Sequence, residues 1–523
     1  MNKPILTPLE VLQLFPPHDL TLGYFLDVRV EVDPDKAMLI FAERTWSRAE
    51  VLAESRRLAA RLQGEGVKKG DRVIVAGRNS AWHVFALIAC GLTGAIFVPV
   101  NPQLTVGELG YILGNARPAL VLCADELQEI CAQAMQESCQ TAPLLTLNDA
   151  LVEAVDTPLA AVAIAATDPL LMIYTSGTTG FPKGVLHSHQ SFILAGEAFI
   201  GRMHLQPDER MLLILPMFHI NALFYSVSGA FAAGATLIVE ERFSASRFWN
   251  VAVRHRATQV NMIEAVVSIL LTRPEEEYRP EHTIRKAYGI RQAMVERVQK
   301  KFGITHAIGG YGMTEIPGVI STPFGMVAPV GSMGQLCAHP DPARDWAECR
   351  VVDDDGADLP DGEIGELWVK TPVRMLEYFG DPEQTAASFS DGWFRTGDLV
   401  RRDQEGNFFF SARKKDIIRV RGENVSGAEV DRVLLQHPDV EIAAAIGVPG
   451  AMGDEDIFAA VKLRDGAEVT PDDLKDWCGK HLAAIKVPSY VALMNELPLT
   501  PTHKVQKVKL KEQVLNSDYR KAG

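Results

Sequence analysis

The chain has 523 residues, 47% of them hydrophobic and 23% charged, the balance of an ordinary globular protein with room for more than one core. A formal net charge of −14 argues against a general nucleic-acid binder, which needs surplus Lys and Arg to meet phosphates, and favours a protein that keeps apart from anionic surfaces. The seven cysteines (Cys90, Cys123, Cys131, Cys139, Cys337, Cys349, Cys478) form no C-x-x-C pair and read as reduced thiols in a cytoplasmic protein, not as a disulfide or zinc framework.

Residues 1–20 lack a basic region followed by an apolar run, so no signal peptide is expected. A strand is predicted over 73–76, a helix over 81–90 and a strand over 95–100. The apolar stretch 84–100 contains Gly91, Thr93, Gly94 and Pro99 and is short for a membrane span, so it reads as a buried helix running into a buried strand. A strand over 170–174 runs into a glycine-rich segment. The earlier pattern then returns as a strand over 211–215, a helix over 222–232 and a strand over 235–239. Gly94 turns helix to strand in the first copy and Gly234 in the second, which suggests two related α/β sheet layers with largely parallel strands. After about Gly331, turn-rich segments such as DDDG (353–356) and LPDG (359–362) separate short strands, as in a smaller β-rich subdomain. A charged crossing, RKKD (413–416), precedes a compact α+β segment that runs to the end.

The most informative string is YTSGTTGFPKG (174–184). Glycines let successive backbone N–H groups converge on an anion, hydroxyls add donors, and Lys183 supplies charge, which is what a polyphosphate needs. Pro182 before the lysine and Gly184 after it separate this string from a Walker A loop.

The string resembles the phosphate loop of the superfamily of acyl-CoA synthetases, peptide-synthetase adenylation domains and luciferases, and further motifs of that family follow in order. These are PMFH (216–219) at the mouth of an acyl pocket, GYGMTE (310–315), GWFRTGD (392–398), RKKD with GENV (422–425), and PLTPTHK (498–504). The resemblance spans about Thr45 to Leu510. It implies a large N-terminal AMP-binding domain (1–414) made of two α/β layers and a small β-barrel-like subdomain. A small mobile α+β domain (415–523) would follow, with a hinge at about Lys415.

A carboxylate is a poor electrophile, and activating it on the α-phosphate of ATP brings anion against anion, so catalysis is positioning and charge neutralisation. The resemblance implies that Thr175 and Glu315 hold Mg2+, a hard cation suited to oxygen ligands. Ser176, Gly177, Thr178, Thr179, Gly180 and Lys183 would cradle the phosphates that leave as pyrophosphate. Tyr311 would stack on adenine beside Gly309 and Gly310, within the loop of Gly312, Met313 and Thr314. Asp398 would accept both ribose hydroxyls, with Arg413 supporting the same sugar. Lys504 would bridge the attacking carboxylate and the α-phosphate during adenylation. Rotation about Lys415 would then withdraw it and present the loop from Gly422 to the thiol of coenzyme A. His503 stands before this lysine where most relatives have glycine.

The acyl pocket is expected from 219–225, 262–266, 288–290 and 313–319. His219 and Asn221 would line it, Gly289 and Met313 would shape it, and Tyr288 would shorten it against long chains. The PMFHI, FSASRFW and RGENVS strings look most like the crotonobetaine/carnitine–CoA ligase branch, where Glu264 becomes a candidate counter-ion for a quaternary ammonium; a helix-start glutamate is the plainer reading. A small uncharged aliphatic acid fits equally well.

The expected activity is therefore an ATP-dependent, AMP-forming carboxylic acid–CoA ligase with ATP, Mg2+ and coenzyme A as cofactors and a small to medium acid as substrate. Neither a nucleic acid nor a membrane span enters the reading, and relatives occur as monomers and homodimers. Beside an oxidative, luciferase-like use of the adenylate, which the motifs alone do not exclude, two alternatives stay open. One is an adenylating enzyme that loads a separate carrier protein, which the lack of a carrier module after Gly523 disfavours. The other is a non-catalytic nucleotide sensor, disfavoured by intact Lys183, Glu315, Asp398, Arg413 and Lys504.

Overall fold

A computed structural model describes residues 4–153, 158–175, 182–420, 423–450, 455–500 and 504–517. The chain separates into two compact units. The first comprises Met1–Thr175, Pro182–Glu348 and Val369–Phe394; the second comprises Ser176–Phe181, Cys349–Trp368 and Arg395–Gly523.

The first unit is built on two seven-stranded sheets. In one, Arg72–Ala76 lies between Ile96–Val100 and Leu120–Cys123, all parallel, and Ile96–Val100 continues onto Pro169–Thr175. Pro169–Thr175 pairs antiparallel with Lys183–Ser188, which pairs antiparallel with the short edge strand Glu377–Tyr378. In the other sheet, Arg210–Leu213 lies parallel between Thr236–Val239 and Gln259–Asn261, followed by Lys286–Tyr288 and His306–Ile308.

The repeat expected from sequence is present as one βαβ unit in each sheet. The first copy is Arg72–Ala76, helix Ala81–Thr93 and Ile96–Val100; the second is Arg210–Leu213, a helical segment and Thr236–Val239. The helix of the first copy is buried on every side, which is why it reads as uniformly apolar instead of amphipathic. The second differs from expectation. It starts as a π-helix, Asn221–Val227, and becomes α-helical only over Ser228–Ala233. Wide π turns of this kind are frequent at functional sites, and this one follows the PMFH string directly. One apolar cluster joins residues of both sheets, including Val73, Phe97 and Leu171 with Leu39, Leu212 and Leu237, and takes in Phe192 and Ile193 of helix His189–Met203.

Gly94 (φ 71°) and Gly234 (φ 66°) end the two helices in the left-handed conformation. A methyl group at Gly94 would meet the flexible Lys69 chain at 2.9 Å, whereas at Gly234 it would meet Phe15 at 2.5 Å and the Arg48 guanidinium at 2.6 Å. Left-handed backbone costs a non-glycine residue about 1–2 kcal/mol. Gly94→Ala is expected to lose about that much, and Gly234→Ala clearly more, in urea unfolding; equal losses would show that crowding at Gly234 is relieved freely.

The second unit holds most of a run of neighbouring strands, Phe408–Arg413, Trp393–Arg402, Ile364–Lys370 and Glu348–Val352. It also contains the hairpin Ile417–Val420 with Glu423–Ser426 and the sheet Val440–Pro449, Glu455–Leu463, Tyr490–Leu493. Helices Gly427–Leu435 and Pro471–His481 share an apolar core with that sheet through Val430, Leu434, Leu474 and Cys478, while Leu510 and Val514 of Lys507–Leu515 join a second cluster with Ile446 and Phe458. Lys415, the expected hinge, lies inside this unit in a short 3-10 turn, Lys414–Asp416. Among the described residues no helix is long and apolar enough to cross a membrane.

Candidate active site

Ser176, Gly177, Thr178, Thr179 and Gly180 of the expected phosphate loop lie outside the described residues, as do Gly422 and His503. Both ends of that loop are placed. Thr175 closes Pro169–Thr175 and pairs across the sheet with Lys183, the first residue of Lys183–Ser188.

Lys183 Nζ donates to Gln384 Oε1 (3.0 Å) and stands 5.3 Å from the centre of the Tyr378 ring. The Tyr378 hydroxyl donates to Glu315 Oε1 (2.7 Å). One tyrosine on an edge strand thus meets both the expected phosphate cation and the expected metal ligand. Glu315 is buried, and its backbone carbonyl accepts from Met375 N–H (2.7 Å). One residue before it, the Thr314 carbonyl accepts from His187 Nε2 (2.7 Å), while His187 Nδ1 meets the Ser191 hydroxyl (2.9 Å). The Met313–Ile316 turn is closed by reciprocal backbone hydrogen bonds of 3.2 Å. Tyr311 lies just ahead of it on the strand Gly310–Tyr311, paired with Ile320–Ser321.

Burial pushes the His187 imidazole down to about 4, and those of His83 and His189 likewise to about 4. The unfolded chain therefore takes up more protons than the folded one between about pH 6.5 and 4, so stability is full above that window and falls as pH drops through it. Unfolding free energies from urea titration are expected to decline from pH 7 to pH 5, by up to about 4 kcal/mol per pH unit if all three histidines respond together. A flat profile would mean that these rings are hydrated.

The expected acyl-pocket segments meet. A methyl group at Gly289 (φ 88°) would touch Met262 O at 2.1 Å, one at Gly310 would touch the Tyr288 hydroxyl at 2.2 Å, and one at Gly318 would lie 3.0 Å from Tyr225. Close packing explains the glycines. Tyr288 is buried edge-on against Phe199 (5.1 Å) and Tyr225 (5.3 Å). His219 packs on Phe218 with ring centres 4.4 Å apart, and Asn221 opens the π-helix. Glu264 is not drawn into this group. It is an exposed residue at the start of helix Glu264–Thr272, ion-paired with the exposed Arg291 at 2.9 Å, as the plainer reading has it.

In the second unit Asp398 and Arg413 are cross-strand partners, and Arg413 Nε donates to Asp398 Oδ1 (2.8 Å). The Asp398 side chain is 1% exposed and its N–H donates to Thr396 Oγ1 (3.0 Å). Buried Glu366 accepts from Gly397 N–H (3.1 Å) and Lys414 Nζ (3.3 Å), fixing the turn that carries the aspartate. Lys504 is exposed: its N–H donates to Thr500 Oγ1 (3.0 Å), and its carbonyl accepts from Thr500 N–H (2.7 Å).

His187, Glu366, Tyr378 and Gln384 went unread in the sequence. Each reaches its partner through sheet pairing or a returning loop, and only the run EYFGDPEQT (377–385), dense in polar groups between apolar neighbours, offered any signal.

Residues 26–379 match the family model for AMP-binding enzymes, and 429–504 match the AMP-binding enzyme C-terminal domain. The fatty acid–[acyl-carrier-protein] ligase ScoC of Streptomyces coeruleorubidus is 31% identical over 98% of this chain and 100% of its own length. A crotonobetaine/carnitine–CoA ligase of Escherichia coli is 30% identical over 89% of this chain and 93% of its own. The crystal structure of ATP-bound MatB from Rhodopseudomonas palustris superposes with a TM-score of 0.85 at 27% identity, covering 95% of this chain and 99% of that one. With both family domains matched in order and homology along nearly its whole length, this chain belongs to the AMP-binding enzymes, as an AMP-forming acyl-CoA ligase.

Proposed function

We propose that the protein joins a compact carboxylic acid to ATP as an acyl-adenylate, releasing pyrophosphate, and passes the acyl group to the thiol of coenzyme A. The observation that carries this reading is the joint engagement of Lys183 and Glu315 by Tyr378, a cation and a carboxylate held together where a metal–polyphosphate is to be bound. Among the described residues no group of three His, Cys, Asp or Glu could cage a metal. Mg2+ held by one carboxylate, the Thr175 hydroxyl and the substrate's own phosphates fits this donor set, and when bound it neutralises charge on those phosphates. Tyr311 stacks on adenine, Asp398 takes the ribose hydroxyls with Arg413 beside it, and Lys504 serves the adenylation step. The segment 415–523 then changes position about Lys415, and the loop from Gly422 meets the incoming thiol. The free thiols of all seven cysteines agree with a reducing cytoplasm.

The acceptor has a second reading, because ScoC is by name a carrier-protein ligase whereas the Escherichia coli relative is by name a CoA ligase. Pyrophosphate release measured over a panel of acids, with CoA, with a pantetheinylated carrier protein or with neither, tests both. Sustained turnover is expected with CoA, and a single turnover without a thiol. Release that ignores CoA and follows the carrier would transfer the assignment to the carrier, and no release with any acid would remove the ligase reading.

A further inference from the structure

Helix His189–Met203 carries Arg202 near its C-terminal end, and the whole residue is 4% exposed. Its Nη2 donates to the Gly318 carbonyl. Nε and Nη1 are buried and find no hydrogen-bond acceptor of good geometry among the described residues; the groups near enough to interact with the guanidinium are the Tyr288 hydroxyl and the Cys337 thiol. The two other deeply buried arginines behave differently. Arg29 donates to the carbonyls of Phe25, Phe231 and Ala232, and Arg48 to those of Arg29, Asp33 and Gly234.

Around Arg202 stand Phe199 and Tyr225, whose ring centres lie 5.9 and 5.7 Å from its guanidinium carbon, together with Tyr288 and Cys337. Burial pushes the phenols of Tyr225 and Tyr288 up, so both are neutral hydroxyls at physiological pH and leave the cation unbalanced. None of the described carboxylates pairs with it. Gly318 takes φ 47°, and a methyl group there would lie 2.3 Å from Nη1, so the backbone is shaped around the guanidinium. A buried cation with no counter-charge costs several kcal/mol, and a carboxylate supplies both that charge and acceptors for a guanidinium.

We propose that Arg202 binds a second, distal carboxylate of the acid, so that the preferred substrates are short dicarboxylic acids. The proposal rests on the reading above, in which Tyr225, Tyr288 and 313–319 line the acyl site. A quaternary ammonium would meet a like charge there, and a methyl-ended chain would leave the buried cation without a counter-charge. Glu264, exposed and already paired with Arg291, supplies no counter-charge for a cationic acid.

The test is pyrophosphate release by the full-length protein with C3 to C6 dicarboxylates against monocarboxylates of equal length, for the wild type and Arg202→Met. The wild type is expected to favour a dicarboxylate in kcat/KM by roughly 100-fold or more, and Arg202→Met to abolish that ratio while keeping monocarboxylate activity within a few-fold. If the variant does not fold, Arg202→Lys, which keeps charge but loses the fork, should lower the ratio instead. A wild type that favours monocarboxylates, or a variant that slows both classes equally, overturns the proposal and leaves the ligase reading intact. If no acid releases pyrophosphate, the ligase reading fails, and calorimetric titration with the same dicarboxylates decides this one: binding lost in Arg202→Met upholds it, and no binding to the wild type overturns it.

Discussion

Lys504→Ala is expected to slow acyl-adenylate formation by roughly 100- to 1,000-fold, the usual effect of removing one preorganised donor from developing transition-state charge. Thioester formation from premade acyl-adenylate should stay within a few-fold of wild type. The side chain is exposed, and the Lys504 backbone is held by hydrogen bonds to Thr500, so truncation should leave the fold untouched. Single-turnover assays of each half-reaction measure the split directly. If both halves fall together, Lys504 acts throughout the cycle, and the two-position account of 415–523 is wrong.

Tyr378→Phe is expected to reduce kcat/KM for ATP by roughly 10- to 100-fold, because it deletes a hydrogen bond to a carboxylate, worth about 1.5–3 kcal/mol, at a buried position. The substitution keeps the aromatic face beside Lys183 and removes only the donor to Glu315, so the two contacts are separated. Freed from the phenol, Glu315 loses its fixed orientation, and the Mg2+ concentration needed for half-maximal pyrophosphate release should rise. Tyr378→Leu removes the ring as well and should cost more, by about 0.5–2 kcal/mol of cation–π attraction. An unchanged Mg2+ dependence in Tyr378→Phe would reduce Tyr378 to a packing residue.

These two predictions differ in how they became visible. Lys183 sits in a string whose residue types announce anion chemistry, whereas Glu315, Asp398, Arg413 and Lys504 could be named before any fold was known because their short strings resemble those of a known family. The βαβ repeat was equally legible, since an apolar helix ended by glycine and followed by a β-branched strand is a local pattern, and Gly94 and Gly234 take the left-handed backbone that this pattern needs. Local pattern was less successful at 222–232. The run is apolar throughout and carries no periodicity, so nothing in it marked the π-helical start at Asn221.

Tyr378 and His187 were beyond reach for a different reason. Their partners, Glu315 and the Thr314 carbonyl, are distant in the chain and adjacent only because Glu377–Tyr378 and Lys183–Ser188 pair as neighbouring strands below the Met313–Ile316 turn. Arg202 is the sharpest case. A basic residue in the last turn of a helix reads as a favourable end charge, and Arg202 occupies just such a place in His189–Met203. The motifs, through the family they resemble, thus determined the reaction class, because they are written in contiguous residues. Tertiary structure decided which groups brace Glu315, that Glu264 is ion-paired with Arg291, and that Arg202 is buried without a counter-charge, because burial and partnership are properties of packing across the chain.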